Sequence, residues 1–198
     1  MSYLNIVLNM YITLFPAIVA GVLNSLFCKS KLLSKLKVPI DFGKCFVDKK
    51  RIFGDNKTWK GLLGYILLNC IIQVIWGMIC SLCNLNSRNF FYTNNHNTIL
   101  FNILIGFLLG LFYALFELPN SFIKRRIGIE PGKPPIGFLK VFFIFLDQAD
   151  SVFGMCLVVA MFYKMSLCFY LVYVLIGALT HIVFNMLLYF LKVRKNMF

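Results

Sequence analysis

The chain has 198 residues, 60% of them hydrophobic and 17% aromatic, and its mean hydropathy is +0.81. A soluble domain runs nearer roughly 45–50% apolar, so the excess belongs to membrane spans and an ordinary soluble globule is excluded. The net charge of +13 would suit a nucleic acid, but the basic residues cluster in the loops between apolar stretches, which excludes that partner class.

The first apolar stretch, about 5–27, has no basic residue ahead of it, since no Lys or Arg precedes Lys29, and no small-residue cleavage site. It reads as a retained helix and not as a signal peptide. Four more stretches follow at about 62–83, 98–116, 139–163 and 167–191, each close to the ~18–20 residues needed to cross hydrocarbon. The expected fold is an all-α integral membrane protein of five transmembrane helices, forming one domain over 1–198. Loops are expected at 28–61, 84–97 and 117–138, with a short turn near Lys164.

Basic residues set the expected orientation. Loop 28–61 carries ten, the stretch from Lys124 to Lys140 five and the tail three, which leaves only Arg88 and Lys164 on the other side. The positive-inside rule then puts the N-terminus outside, and both long loops and the C-terminus in the cytoplasm of a cell-membrane protein. The seven cysteines are odd in number and lie mostly in apolar runs, against a disulfide framework. Cys80 and Cys83 form a CxxC with no second ligand pair, so they read as helix-packing residues.

Loop 28–61 mixes its cations with acids and glycines: Lys44, Asp48, Arg51, then Gly54-Asp55-Asn56-Lys57-Thr58-Trp59-Lys60-Gly61. Gly54 to Lys57 reads as a turn whose backbone amides face an anion, and Thr58 as the N-cap of the second span. No Walker pattern is present. In the third span, Gly106 and Gly110 form a GxxxG, a helix-packing signature within or between chains, so oligomeric state stays open.

After the third span comes Glu117-Leu-Pro-Asn-Ser121-Phe-Ile-Lys124-Arg125-Arg126. If helical from Asn120, it puts Ser121, Lys124 and Arg125 on one face. Three successive cations suit phosphate, which arginine clamps bidentately and lysine attracts as a point charge.

The fourth span contains Leu-Asp147-Gln-Ala-Asp150-Ser151-Val-Phe-Gly154. Asp147, Asp150, Ser151 and Gly154 share one helical face, and Lys140 lies two turns earlier on it. Each carboxylate costs ~2.5 kcal/mol or more inside hydrocarbon, and the two repel. The pair therefore wants a basic partner, a proton or a divalent cation, and the residues leave all three open. An Asp-x-x-Asp supplies hard oxygen ligands suited to Mg²⁺, with phosphate oxygens completing the shell. A proton on the same pair would suit a proton-coupled anion transporter. On the fifth span, His181 and Asn185 lie one turn apart and read as interhelical hydrogen-bonding residues.

Taken together, Gly43-Lys44-x-Phe-x-Asp48, Lys50-Arg51-Ile-Phe-Gly-Asp-Asn-Lys-Thr-Trp-Lys-Gly61, Ser121-Phe-Ile-Lys-Arg-Arg126 and Leu146-Asp-Gln-x-Asp150 resemble the CDP-archaeol synthase family, distant relatives of phosphatidate cytidylyltransferases. The blocks keep the family's order over nearly the whole chain. One departure is Asp48-Lys49-Lys50 where the family has Asp-Gly-Lys.

The resemblance implies a catalytic membrane domain that moves the cytidylyl group of CTP to an archaeol-type or phosphatidate-like lipid phosphate with Mg²⁺, releasing pyrophosphate. It also implies roles for named residues. Asp147 and Asp150 would be the metal ligands, and Lys124 and Arg125 would act with them in catalysis. Lys44, Asp48, Arg51, Asp55, Asn56, Lys57, Thr58, Lys60, Ser121 and Arg126 would bind substrate.

Overall fold

A computed structural model describes residues 3–133, 137 and 139–192. Five helices account for most of it: α1 (Tyr3–Lys29), α2 (Trp59–Leu82), α3 (Ile99–Arg126), α4 (Leu139–Phe162) and α5 (Leu167–Phe190). All five are long and apolar enough to cross a bilayer, as the composition predicts. The described residues contain no β-strand, only isolated bridges Pro39–Thr58 and Cys45–Arg51 in the first loop.

Helix starts follow local chemistry. Thr58, Thr98 and Ser166 each accept a hydrogen bond from the backbone N–H three residues on, at 3.2, 3.3 and 3.2 Å. These N-caps satisfy amides that a helix end would otherwise leave open. Thr58 therefore caps the second span, as expected.

Each helix packs mainly on its neighbours in sequence. α4 is the most enclosed, with 56% of its apolar window buried against 17% for α5. Its residues Ala149, Cys156, Val158 and Val159 are fully buried. Close backbone approach fixes both contacts of α3. A Cβ on Gly106 would lie 2.6 Å from Cys70 Cα, and one on Gly110 2.6 Å from Ile66 Cα, so the GxxxG packs within the chain on α2. A Cβ on Gly154 would lie 2.3 Å from Phe112 O, which brings α4 equally near α3.

Two regions differ from expectation. The third span was expected to end near 116 and give way to a loop, but α3 continues through Pro119 to Arg126. The apolar signal stops where the helix does not, because the charges of its last turns find partners on α4 and in the first loop. The loop at 84–97 is also more structured than its polar composition suggests. It makes two 3-10 turns and buries Phe90, Phe91 and Tyr92, with Phe90 stacked 4.5 Å from Tyr163.

All seven cysteines are free. Asn185 Nδ2 donates to Gln148 Oε1 and His181 Nδ1 lies 3.2 Å from Gln148 O, so this pair does link α5 to α4.

Candidate functional site

The extra turns of α3 lie along the polar face of α4. Glu117, Asn120, Ser121 and Lys124 recur at helical spacing and so share a face. Asn120 Nδ2 donates to Asp147 Oδ1 and to Asp150 Oδ2, each at 2.7 Å, so one amide bridges the two carboxylates. Lys124 Nζ pairs with both oxygens of Asp147 and lies over the Phe143 ring. Asp150 is 8% exposed and accepts the Ser151 backbone N–H at 2.6 Å. One turn back along α3, Glu117 forms an ion pair with Lys57 from the first loop. Burial alone would push the Lys57 ammonium down, but the charges of Glu117, Asp150 and Asp147 hold it above its ordinary range. The first loop is thus tied to the aspartate site through one lysine.

That loop is organised by a residue the sequence reading passed over. Asp41 is buried and accepts from Arg51 Nη2 at 2.8 Å and from the backbone amides of Gly43, Phe53 and Gly54 at 3.0, 2.9 and 2.9 Å. Burial would raise its carboxyl, yet the guanidinium and three amides hold it well below the usual carboxylate range. Of the Gly54 to Lys57 amides expected to face an anion, that of Gly54 therefore faces the protein's own carboxylate, together with the neighbouring amide of Phe53. Gly54 itself has φ +103°, and a Cβ there would lie 2.6 Å from Pro131 Cγ, so glycine is required.

The candidate binding residues divide into two groups. Lys57, Lys124, Asp147 and Asp150 converge. Arg125, which follows Lys124, is 9% exposed, and its Nε and Nη1 have no protein partner. A Cβ at Gly54 would lie 3.8 Å from that Nε, so the guanidinium edge looks onto the loop turn. Ser121 is buried on the same helix.

Arg51, Arg126, Asp48, Asp55 and Lys60 are engaged in contacts within the protein. Arg51 pairs with Asp41 and with Asp55, each at 2.8 Å. Arg126 Nε lies 2.7 Å from Asp48 Oδ2, its Nη2 reaches the carbonyls of Lys50 and Arg51, and it stacks on Phe122 at 4.3 Å. Lys60 is 1% exposed and donates to Ser30 O at 2.8 Å above the Phe27 ring. Lys44 and Asn56 are exposed, and Thr58 serves as a cap.

Glu117 and Asn120 carry no assignment in the sequence reading, although helical arithmetic from Lys124 back past Pro119 would have found both. Hard oxygen donors of the kind a divalent cation takes lie at Asp147 and Asp150, joined by Asn120 Nδ2, while the buried Asn120 Oδ1 has no protein partner. Among the described residues no group of three His, Cys, Asp or Glu side chains forms a closed metal site. A cation here would draw its remaining ligands from elsewhere.

The family model described as CarS-like, CDP-archaeol synthase, matches residues 3–198. The chain belongs to this family. A CDP-archaeol synthase of Methanococcus aeolicus is 30% identical over 196 residues, 98% of both chains. Those of Methanocaldococcus jannaschii and Pyrococcus furiosus are 33% and 37% identical over 117 and 99 residues. These two matches span 58% and 52% of the relatives' own lengths. A solved intramembrane enzyme for archaeal membrane lipids biosynthesis shares the fold, with a TM-score of 0.59 at 22% identity over 89% of this chain and 92% of that one. The transporter alternative has no support among these synthases.

Proposed function

We propose that this multi-pass membrane protein transfers the cytidylyl group of CTP to a lipid phosphate, yielding a CDP-lipid and pyrophosphate. The observation that carries the reading is the Asn120-bridged aspartate pair with Lys124 on it and the Lys57–Glu117 ion pair one turn back, beside an Arg125 whose Nε and Nη1 have no protein partner. It comes in a chain of the CDP-archaeol synthase family.

The reaction needs positioning and charge neutralisation more than covalent help. A lipid-phosphate oxygen attacks the α-phosphorus of CTP and forms a new P–O bond. The bond from the α-phosphorus to the oxygen bridging to the β-phosphorus breaks, and pyrophosphate leaves with its electron pair. The attacking phosphate is already an anion, so no strong base is required. Arg125 presents an unpartnered, pre-placed fork to a phosphate group. Lys124 and Lys57 release charge from their carboxylates as phosphates arrive, and Asn120 keeps the two aspartates together meanwhile. Mg²⁺ held by Asp147 and Asp150 would neutralise phosphate charge and orient the leaving group when bound.

The site faces the cytoplasm, where CTP is found. The support is in the sequence, where eighteen of the twenty Lys and Arg residues fall in the first loop, the Lys124 to Lys140 stretch and the tail, as the positive-inside rule expects of cytoplasmic segments.

The test is to give the purified protein CTP, Mg²⁺ and a panel of ether- and ester-linked lipid phosphates, and to separate the products by thin-layer chromatography. A CDP-lipid with equimolar pyrophosphate is expected from at least one. No CDP-lipid from any, in a sample that melts cooperatively, would overturn the reading.

A further inference from the structure

A slot runs between α1 and α5, the first and last helices, with α4 as its floor, and encloses about 130 Å³. None of its lining residues takes part in the transfer just described. Its wall on α1 extends from Met10 to Ser25, about 22 Å of helix rise. One leaflet of hydrocarbon is shallower, about 15 Å, half the bilayer core.

The lining changes along this length. Met10, Leu14 and Tyr173 make the deep part, while Ser25, His181 and Asn185 lie toward the end where α1 meets the first loop. At that end His181 and Asn185 both contact Gln148, which sits between Asp147 and Asp150 in the chain. The polar end of the slot therefore backs onto the turn of α4 that carries the aspartates.

Across the mouth, Tyr11 Oη and Thr180 Oγ1 share a hydrogen bond of 2.8 Å at an exposed position. Within the slot Tyr173 Oη donates to Met10 O at 2.6 Å, and α1 and α5 otherwise pack mainly on α2 and α4. In front of Gly21 the space is open, since a Cβ there would meet only Tyr65 Cε2, at 3.8 Å.

We propose that this slot takes a hydrocarbon chain of the lipid phosphate, entering sideways between α1 and α5. Three observations select that occupant: an apolar depth longer than a leaflet, a polar end, and continuity with the aspartate turn through Gln148. A lipid phosphate matches all three, with its chain along the slot and its head at the polar end. The inference rests on the cytidylyl-transfer reading.

Gly21→Leu would put a side chain into the slot, its Cβ meeting only Tyr65 Cε2. In the purified full-length protein, the ratio of long-chain to short-chain kcat/KM is expected to fall about tenfold, the worth of roughly two buried methylenes. The thermal midpoint should stay within a degree or two. An unchanged ratio in a folded variant would overturn the slot, whereas no product from the wild type with any lipid would count against the transfer reading.

A second measurement needs no turnover. A lipid phosphate with a photoreactive chain end should label the Met10–Ser25 stretch of the wild type. That labelling should weaken in Gly21→Leu and be competed by excess lipid phosphate. Labelling confined to the outward faces of α2 and α3, or equal competition by a neutral bilayer lipid, would overturn the proposal.

Discussion

Asp150→Asn is expected to lower kcat for CDP-lipid formation by roughly 10²–10³-fold, the range seen when one pre-placed electrostatic group is removed. The substitution is nearly isosteric, and the new amide oxygen can still accept from Asn120 Nδ2, which now bridges Asp147 and Asp150 at 2.7 Å. Neither helix contact depends on the charge, since α3 and α4 are fixed by backbone approach at Gly154. The thermal midpoint in detergent should therefore change little while turnover collapses. Asp147→Asn should also lose turnover, and in addition it releases Lys124 from its ion pair. Steady-state kinetics on both variants, with melting curves on the same samples, separate lost chemistry from lost fold. Full activity in Asp150→Asn would remove it from the site.

Glu117→Ala is expected to act through stability and nucleotide binding together. It leaves the Lys57 ammonium without its carboxylate on α3 and cuts the tie between the first loop and the aspartate site. Breaking a fully buried pair costs roughly 3–5 kcal/mol. Here the side chains keep 26% and 20% of their exposure, so about 2 kcal/mol is expected, the discount reflecting solvent at both ends. The loop should become protease-sensitive near Lys49, Lys50 and Arg51, and KM for CTP should rise. The double change Lys57→Met with Glu117→Leu removes both charges, so it should recover much of the midpoint without recovering activity. A Glu117→Ala midpoint equal to wild type would show that the pair does not hold the loop.

The spans were legible because a bilayer demands about twenty apolar residues per crossing, a requirement visible in any single sequence. The Asp147–Asp150 face was legible for an equally simple reason, the helical period. What stayed hidden depended on partners distant in the chain. Glu117, Pro119 and the Lys-Arg-Arg run all read as loop signals, yet they continue α3 because Lys57 and Asp147 neutralise them from other elements.

The run itself splits, since successive helical residues point about 100° apart. Lys124 turns to the aspartates, Arg125 keeps a free edge beside the Gly54 turn, and Arg126 docks the first loop. The Gly54 turn shows the same limit. Its sequence says that amides face an anion, but it could not say that the anion is Asp41, thirteen residues earlier. Of the residues expected to bind substrate, Arg51, Arg126 and Lys60 also make contacts to Asp41, Asp48 and Ser30 that shape the loop carrying Lys57.

In the proposed transfer, CTP is attacked at its α-phosphorus in this site. The most direct measurement follows the fate of label from CTP carrying ³²P at the α- or at the γ-position, with the lipid phosphate that gives product. α-Label should appear wholly in the lipid fraction and γ-label wholly in pyrophosphate, and both transfers should fail together in Asp150→Asn. γ-Label in the lipid, or α-label released as free CMP without lipid product, would contradict it.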